Sequence, residues 1–247
     1  MTTPSAALAD GHYDQYVEWK SWDNLFSFSD VENRYFRIET AGISVADADL
    51  LEIGFGAGHF LAWARHQGAR VSGTELQPAL AEAAEAAGIR LLAPAIETCA
   101  DAFAGAFDTI VSFDVFEHFP LSDLGPRLDA CHTMLRPGGH LLLRFPNGQS
   151  PIGLTQQHGD PTHLVPLSLA KLRPLLMTHG WEIVAYRGQA IVGGGSLLHK
   201  AVRSVRQLLR RIIEATYQFI YCVDHPLDAV VVLVLRKRGS PNPHKTP

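Results

Sequence analysis

Short apolar segments alternate with amphipathic segments through the middle of the chain. The predicted strands are 49–53, 70–74, 89–92, 108–113 and 139–145, and the predicted helices are 58–67, 77–87 and 122–135. Pro78 near the start of the second helix and Gly88 after its end are typical helix boundaries. Alternating helices and apolar strands indicate a mostly parallel sheet with helices on both faces. The predicted fold class is therefore α/β.

The chain departs from this alternation after the fifth strand. A loop rich in Pro, Gly, Asn and Gln precedes a predicted helix, 168–179, and two more predicted strands, 181–186 and 229–237. Between those strands, Ser196–Tyr221 carries apolar residues at helical spacing, five basic residues and one acid, Glu214. This pattern predicts an inserted amphipathic helix with a basic polar face. The insert is either a lid, edge cover or dimer contact, or a surface that meets anionic lipid or a lipid-linked, phosphate-bearing acceptor.

Aromatic side chains mixed with charges dominate residues 13–36, whereas 1–10 are predicted to be disordered. We predict helices across the mouth of the next domain, with some aromatics lining a substrate pocket. These aromatics are Tyr13, Tyr16, Trp19, Trp22, Phe26, Phe28, Tyr35 and Phe36. The predicted organisation is a helical cap (1–45), a core (46–190), a basic helical insert (191–226), and a last strand with a disordered tail (227–247).

Composition narrows the classes of partner. A net charge of −4 over 247 residues and a pI near 6.3 argue against nucleic acid as the main partner. The three cysteines are widely spaced, form no zinc signature, and suggest a reducing compartment. The first ten residues lack the pattern of a signal peptide, and no apolar run is long enough for a bilayer span. We expect a cytoplasmic protein, with the basic helix as its candidate contact with a membrane surface.

The stretch 50–58, LLEIGFGAG, ends an apolar strand and opens a helix through three alternating glycines. Such a loop lets a ligand approach the backbone closely, and the helix N-terminus favours a carboxylate or phosphate. A dinucleotide fingerprint requires G-x-G-x-x-G/A. His59 occupies the position of its third small residue. This spacing disfavours an NAD-dependent oxidoreductase.

The pattern E-x-G-x-G-x-G, beginning at Glu52, resembles motif I of class I S-adenosylmethionine (SAM) methyltransferases. L-x-P-G-G at 135–139 resembles the family's approach to its fifth strand, and the resemblance covers 48–186. It implies a Rossmann-like, seven-stranded, mostly parallel sheet whose last two strands form an antiparallel hairpin. It also implies SAM as the cofactor.

The resemblance implies a role for each end of SAM. The glycine loop would receive the methionine end, Glu75 the two ribose hydroxyls, and Ile96 and Glu97 the adenine. The end of strand four would border the cofactor. The predicted cofactor contacts are Glu52, Gly54, Gly56, Gly58, Glu75, Ile96, Glu97, Ser112, Phe113 and Asp114.

Methyl transfer to a hydroxyl requires a base or a metal that acidifies the hydroxyl. If a helical turn follows strand four, Asp114 shares a face with Glu117 or His118, and His163 follows strand five on the same rim. We predict Asp114, His118 and His163 as catalytic residues. D/E-x-x-E-H with a later histidine resembles the metal site of small-RNA 2′-O-methyltransferases, and E-x-x-E-H also resembles ubiquinone-pathway O-methyltransferases. Candidate ligands for Mg²⁺, Mn²⁺ or Zn²⁺ are Asp114, Glu117, His118 and His163; a metal-free base and a structural role remain alternatives.

The leading hypothesis is a SAM-dependent O-methyltransferase that acts on a sugar, glycolipid or other small-molecule acceptor. The stretch H-x-D-P-T-H-x-x-P, from His158, resembles enzymes of surface-polysaccharide and lipid-linked glycan pathways. The alternatives are a quinone-type or natural-product O-methyltransferase and a non-catalytic SAM-binding subunit. DNA-base methylation is disfavoured, because the chain has no N-P-P-Y motif.

Overall fold

A computed structural model describes residues 24–178, 180–193 and 196–238. The predictions for residues 1–23 and for the tail after 238 lie outside these ranges. The helices are α1 (Asp30–Glu39), α2 (His59–His66), α3 (Pro78–Ala86), α4 (Leu121–Met134), α5 (Leu154–Gly159), α6 (Leu169–Thr178) and α7 (Leu197–Tyr221). The strands are β1 (Asp49–Ile53), β2 (Arg70–Thr74), β3 (Arg90–Leu91), β4 (Phe107–Phe113), β5 (Leu135–Pro146), β6 (Trp181–Gly188) and β7 (Val230–Lys237).

The seven strands form one sheet in the order β3-β2-β1-β4-β5-β7-β6. All neighbours are parallel except those of β7, which runs antiparallel to β5 and β6. The chain winds outward from β1 in one direction and from β4 in the other. Ligands in such sheets bind at this switch point, beyond the carboxyl ends of the strands.

Successive residues of the buried strands supply two hydrophobic cores, one on each face of the sheet. Leu51 and Leu143 belong to the core under α4 and α6, whereas Leu50 and Leu142 belong to the core under α1, α2 and α3. Side chains alternate between faces along a strand, so both faces of β1 and β5 must be apolar. The continuous apolar runs found in the sequence have this cause.

Local signals account for where α1 begins. Ser29 is its N-cap, and its Oγ accepts a hydrogen bond from the Glu32 backbone N at 3.2 Å. The Glu32 carboxylate accepts in return from the Ser29 backbone N at 2.7 Å. This capping box satisfies two amide groups that the helix leaves unpaired. It starts α1 at the rim of the sheet.

The sequence predicted all seven strands and the seven-stranded mixed sheet, and the structure confirms them. Three details differ. β3 has only two residues, β5 begins at Leu135 around a register shift, and α5 occupies part of the segment expected to be loop. The inserted segment is helical from Leu197 to Tyr221, as the basic amphipathic pattern predicted.

Candidate active site

A cavity of about 1030 Å³ opens at the carboxyl edge of the sheet, between β1, β2 and β4 and under α1. Its volume is at the upper end of the range found for small-molecule sites. Among the sequence-predicted residues, those that line it are Glu52, Gly54, Gly56, Glu75, Glu97, Phe113, Asp114 and His118. Tyr35 and Phe36 also line it, as expected for some of the N-terminal aromatics.

The glycine loop and Glu75 form one hydrogen-bonded unit. Gly54, Gly56 and Gly58 all have positive φ, at 67°, 53° and 72°. The Gly56 backbone N donates to Glu75 Oε2 at 3.0 Å, while Glu75 Oε1 accepts from the amides of Leu76 and Gln77 at 2.8 and 3.0 Å. The Glu75 carboxylate is thus fixed at the cavity wall, and Oε2, which accepts only one of these bonds, keeps acceptor capacity for a ligand hydroxyl.

Glu52 is a buried carboxyl group at the end of β1. It lines the cavity, and its Oε2 has no hydrogen-bond partner among the described residues. Burial raises the pKa of Glu52 well above its ordinary value, although nearby Arg144 opposes this shift. A cationic ligand group beside Glu52 would favour the ionised carboxylate. An ammonium or sulfonium therefore suits this part of the cavity.

Three predicted cofactor contacts do not line the cavity. Ile96 is fully buried and belongs to the core beneath, and Ser112 is buried in β4. Gly58 is the N-cap of α2, where a Cβ would lie 2.3 Å from the ring of Phe26. These three residues support the cavity wall from behind, because their side-chain positions face protein.

The part of the cavity where the adenine of SAM is expected contains an ion pair. Arg127 Nε lies 3.0 Å from Glu97 Oε1, and the guanidinium packs over the ring of Phe119 at 3.7 Å from its centroid. Glu97, Arg127 and Phe119 all line the cavity. Glu97 was predicted from its place after β3, whereas Arg127 carries no motif and was not predicted. Any ligand amine that approaches Glu97 would share its carboxylate with this guanidinium.

Asp114 has a different environment from the one predicted. It has a φ of +56°, and its carboxylate pairs with both arms of the Arg144 guanidinium, one of them at 3.1 Å. The short helical turn begins only at Phe116. The left-handed residue breaks the helical spacing, so Asp114 does not share a face with Glu117 and His118 and lies outside their cluster. The structure brings Asp114 together with Arg144 and not with the other three predicted metal ligands.

Arg144 connects the cavity wall to α1, and the sequence analysis did not identify it. Its Nη1 donates to the Tyr35 hydroxyl at 2.7 Å, and that hydroxyl donates to Glu39 Oε1 at 2.7 Å. Fully buried Glu39 also accepts from Arg187 Nη1 at 2.8 Å. The sequence does carry a signal for Arg144, which interrupts the apolar run L-L-L-R-F of β5. Because buried arginines are uncommon unless paired, an arginine at this position indicates a buried ionic partner.

Glu117, His118 and His163 form a buried cluster whose ligand-type atoms all lie within 4.8 Å of one another. His163 Nε2 lies 3.9 Å from Glu117 Oε1 and from Asp160 Oδ2. Both carboxylate oxygens of Glu117 are buried without a hydrogen-bond partner among the described residues. Burial, with the nearby charge of Asp114, raises the pKa of Glu117 well above its ordinary value.

Each histidine of this cluster has one ring nitrogen against a backbone carbonyl. His118 Nδ1 lies 3.1 Å from the Thr162 carbonyl oxygen, and His163 Nδ1 lies 3.3 Å from that of Gln157. A carbonyl only accepts, so the short His118 contact assigns the proton to Nδ1 and leaves a lone pair on Nε2. Burial and the neighbouring His163 lower the pKa of His118. A neutral imidazole that can accept a proton therefore borders the cavity.

His163 does not line the cavity. Its ring packs edge-on against His118, with the centroids 4.8 Å apart. Of the two histidines predicted as catalytic, His118 lines the cavity and His163 lies behind it, and the catalytic role of each stays a prediction.

Comparisons with known proteins agree with this architecture. A family model described as a methyltransferase domain matches residues 29–186. A SAM-dependent methyltransferase from Archaeoglobus fulgidus superposes with a TM-score of 0.61 at 17% identity, covering 92% of this chain and all of that one. A Burkholderia thailandensis 1,6-didemethyltoxoflavin-N1-methyltransferase, solved with S-adenosylhomocysteine, gives 0.54 at 17% identity, covering 92% and 84%.

Curated relatives with similar sequences include ubiquinone biosynthesis O-methyltransferases. The Xanthomonas oryzae pv. oryzae protein is 29% identical over 110 residues, which are 42% of this chain and 45% of the relative. The Xanthomonas euvesicatoria pv. vesicatoria protein is 30% identical over 146 residues, or 56% and 57%. The chain thus spans about half the length of the curated relatives it matches.

Proposed function

Since the chain belongs to the methyltransferase-domain family, we propose that it transfers the methyl group of SAM to an oxygen atom of a small-molecule acceptor. One observation carries the proposal. Neutral His118 borders the same cavity as the glycine loop and Glu75. The residues suited to hold the methyl donor and the residue suited to deprotonate a hydroxyl therefore meet in one space.

The cavity wall fits SAM in charge and in hydrogen bonding. Glu52 has a buried, unpartnered carboxyl oxygen where a cationic methionine end would enter, and Glu75 is held with spare acceptor capacity for the ribose. SAM supplies an activated methyl group on a sulfonium that is its own leaving group. The work of the protein is therefore to orient the two ligands, exclude water and move one proton.

His118 is the proposed base. With Nδ1–H held by the Thr162 carbonyl, Nε2 is free to take the hydroxyl proton as the oxygen attacks the methyl group. The lowered pKa keeps the imidazole neutral near pH 7, so no proton must first be lost. The ring of His163 packs edge-on against His118 from behind, and we propose a positioning role for His163.

The acceptor we propose carries a phenolic or sugar hydroxyl. The named activity of the curated relatives, ubiquinone biosynthesis O-methylation, supports a phenolic acceptor. The aromatic rings of Tyr35, Phe36 and Phe113 at the cavity wall suit a planar ring as well. A glycan or lipid-linked acceptor is the alternative, and it rests on the histidine-rich stretch that begins at His158.

A divalent metal is a second candidate for the acidifying group. Glu117, His118 and His163 are chemically suited to it, because Glu117 has two unpartnered oxygens and each histidine has its Nδ1 near a backbone carbonyl. Metal-binding histidines usually have their second nitrogen engaged in this way. A bound ion would lower the pKa of an acceptor hydroxyl. These three residues would hold it, and Asp114 would not.

The deciding experiment compares His118→Gln with His66→Gln, a histidine that is exposed at the end of α2. We expect His118→Gln to lower kcat about 10²- to 10⁴-fold while SAM affinity is kept. Wild-type kcat should rise with pH through a pKa below 6.5 and then level off. The acceptors are simple catechols, hydroquinones and a lipid-linked glycan. Equal kcat in both variants would overturn the role of His118.

The same assay separates the base from the metal. If His118 acts as a free base, EDTA leaves kcat unchanged, and Mg²⁺, Mn²⁺ and Zn²⁺ give no binding isotherm. A metal isotherm that Glu117→Gln abolishes, together with EDTA-sensitive kcat, would establish the metal centre instead. Absence of methyl transfer to every acceptor, despite SAM binding, would favour the non-catalytic SAM-binding alternative.

A further inference from the structure

Helix α7 presents an apolar face that no described part of the chain covers. None of its 25 residues is buried. The exposure of its large apolar side chains ranges from 44% at Val202 to 85% at Phe219. With 100° between successive residues, these side chains span an arc of about 160°, which is wider than a coiled-coil seam. The members of this apolar face are Leu197, Leu198, Val202, Val205, Leu208, Leu209, Ile212, Ile213, Phe219 and Ile220.

The domain contacts α7 through its polar face. Arg203 Nη1 donates to the Gly193 carbonyl at 2.9 Å, and Arg210 pairs with Asp228. Glu214 Oε1 accepts from the Leu227 backbone N at 2.8 Å, and Gln218 Nε2 donates to a loop carbonyl at 3.1 Å. A helix that packs on its own domain normally turns its apolar face inward. Here the orientation is reversed.

Three cations flank the apolar face. Arg206 lies beside one edge of the arc, and Lys200 and Arg211 lie beside the other. All three are exposed, and within the parts of the chain that the structure describes none of them forms an ion pair. Their long side chains can lie along the apolar face with the charge at its border.

Charge and shape together select the partner. The helix is about 37 Å long at 1.5 Å per residue, so its occupant must be extended. A second copy would bring two sets of the same cations together. The single acid of the helix, Glu214, is engaged with the domain and could not pair with them. A negatively charged lipid bilayer provides an apolar interior for the apolar face and phosphate groups for the cations, along the whole length of the helix.

We propose that α7 docks this protein onto an anionic lipid bilayer, lying in the plane of the interface with its apolar face in the lipid. Among the described residues, no helix is both apolar enough and long enough to cross a membrane. One loop joins α7 to the carboxyl end of β6, and the other joins it to the amino end of β7, which lies beside the carboxyl end of β5, where Pro146 pairs with Val230. Because the cavity opens at that edge, docking would bring it near the lipid. The proposal does not depend on the proposed reaction.

The test is flotation of the full chain with vesicles. We expect binding to phosphatidylcholine vesicles that contain about 30% phosphatidylglycerol, and little binding to pure phosphatidylcholine. The double variant Val205→Gln/Ile212→Gln should lose binding, since both positions are at the centre of the apolar face. Arg206→Gln/Arg211→Gln should weaken binding about 10- to 30-fold, at about 1 kcal/mol per cation. Added salt should weaken wild-type binding as well.

Matched controls carry the same changes at exposed positions elsewhere. Ile38→Gln/Met177→Gln and Arg37→Gln/Arg173→Gln should bind as the wild type does. Sedimentation of each variant without vesicles tests the competing occupant. If the wild type fails to float, or if Val205→Gln/Ile212→Gln floats equally well, the proposal is wrong. A micromolar dimer that this variant dissociates, without vesicle binding, would assign the face to a second copy.

Discussion

Replacing Gly58 by alanine adds one methyl group where both the backbone and the space oppose it. Gly58 has a φ of +72°, and a Cβ there would lie 2.3 Å from Phe26 Cε1. A left-handed conformation costs a non-glycine residue about 1–2 kcal/mol. Overpacking adds about 1–3 kcal/mol. The total of about 2–5 kcal/mol should lower Tm by about 5–15 °C, at roughly 3 °C per kcal/mol for a chain of this size.

Gly88→Ala is the matched control for Gly58→Ala. Its φ is +71°, but a Cβ there would have no neighbour within 4 Å. Only the backbone cost applies, so thermal unfolding should shift by about 3–6 °C. Equal shifts in the two variants would refute the reasoning, because they would mean that Phe26 does not pack against the glycine loop. Gly58→Ala should also weaken SAM binding, and Gly88→Ala should not.

Three further predictions concern buried charges. The pKa of Glu117 is raised in the folded state, so its contribution to stability is full at low pH and is lost as pH rises above 4.5. Glu117→Gln removes this pH-dependent loss. In the presence of EDTA, the Tm of this variant relative to the wild type should therefore increase between about pH 5 and about pH 8. Arg144→Lys should cost about 1–3 kcal/mol in urea unfolding, because an ammonium cannot replace the two-armed contact with Asp114. Glu39→Gln should cost about 2 kcal/mol, because it leaves Arg187 without its buried partner.

Exposed residues supply the controls for these variants. Glu85→Gln, at an exposed carboxylate on α3, is the control for Glu117→Gln, and Arg173→Lys should leave the urea midpoint unchanged. A flat pH dependence for Glu117→Gln would mean that Glu117 is ionised in the folded protein. If Arg144→Lys or Glu39→Gln has the urea midpoint of the wild type, the hydrogen bonds that link α1 to the sheet do not contribute to stability.

The fold followed from the sequence because the central strands β1 and β5 are apolar on both faces. Two cores, one on each side of β1 and β5, require that pattern, and it is visible without any structure. The glycine loop and Glu75 were found for a similar reason, since a close approach of ligand to backbone restricts the residue types. The length of β3 was overestimated, because its pairing is confined to Arg90 and Leu91 at the sheet edge.

The candidate site was only partly predictable, because spacing along the chain does not give direction in space. Asp114 was expected on a helical face, and its positive φ turned it to Arg144 instead. Ile96 follows the short strand β3 as expected, but its side chain enters the core. For α7, amphipathicity predicted two faces without showing that the polar one contacts the domain. The contacts with Gly193, Asp228 and Leu227 decide that orientation.

The proposed function requires that this cavity hold SAM on the glycine loop and Glu75. Calorimetric titration of SAM into the wild type, Glu75→Ala and the exposed-site control Glu85→Ala tests it most directly. We predict binding to the wild type and to Glu85→Ala, and a loss of about 10- to 100-fold in affinity for Glu75→Ala, since charged hydrogen bonds to the ribose are removed. An absence of SAM binding to the folded wild type, or equal affinity in all three proteins, would contradict the account.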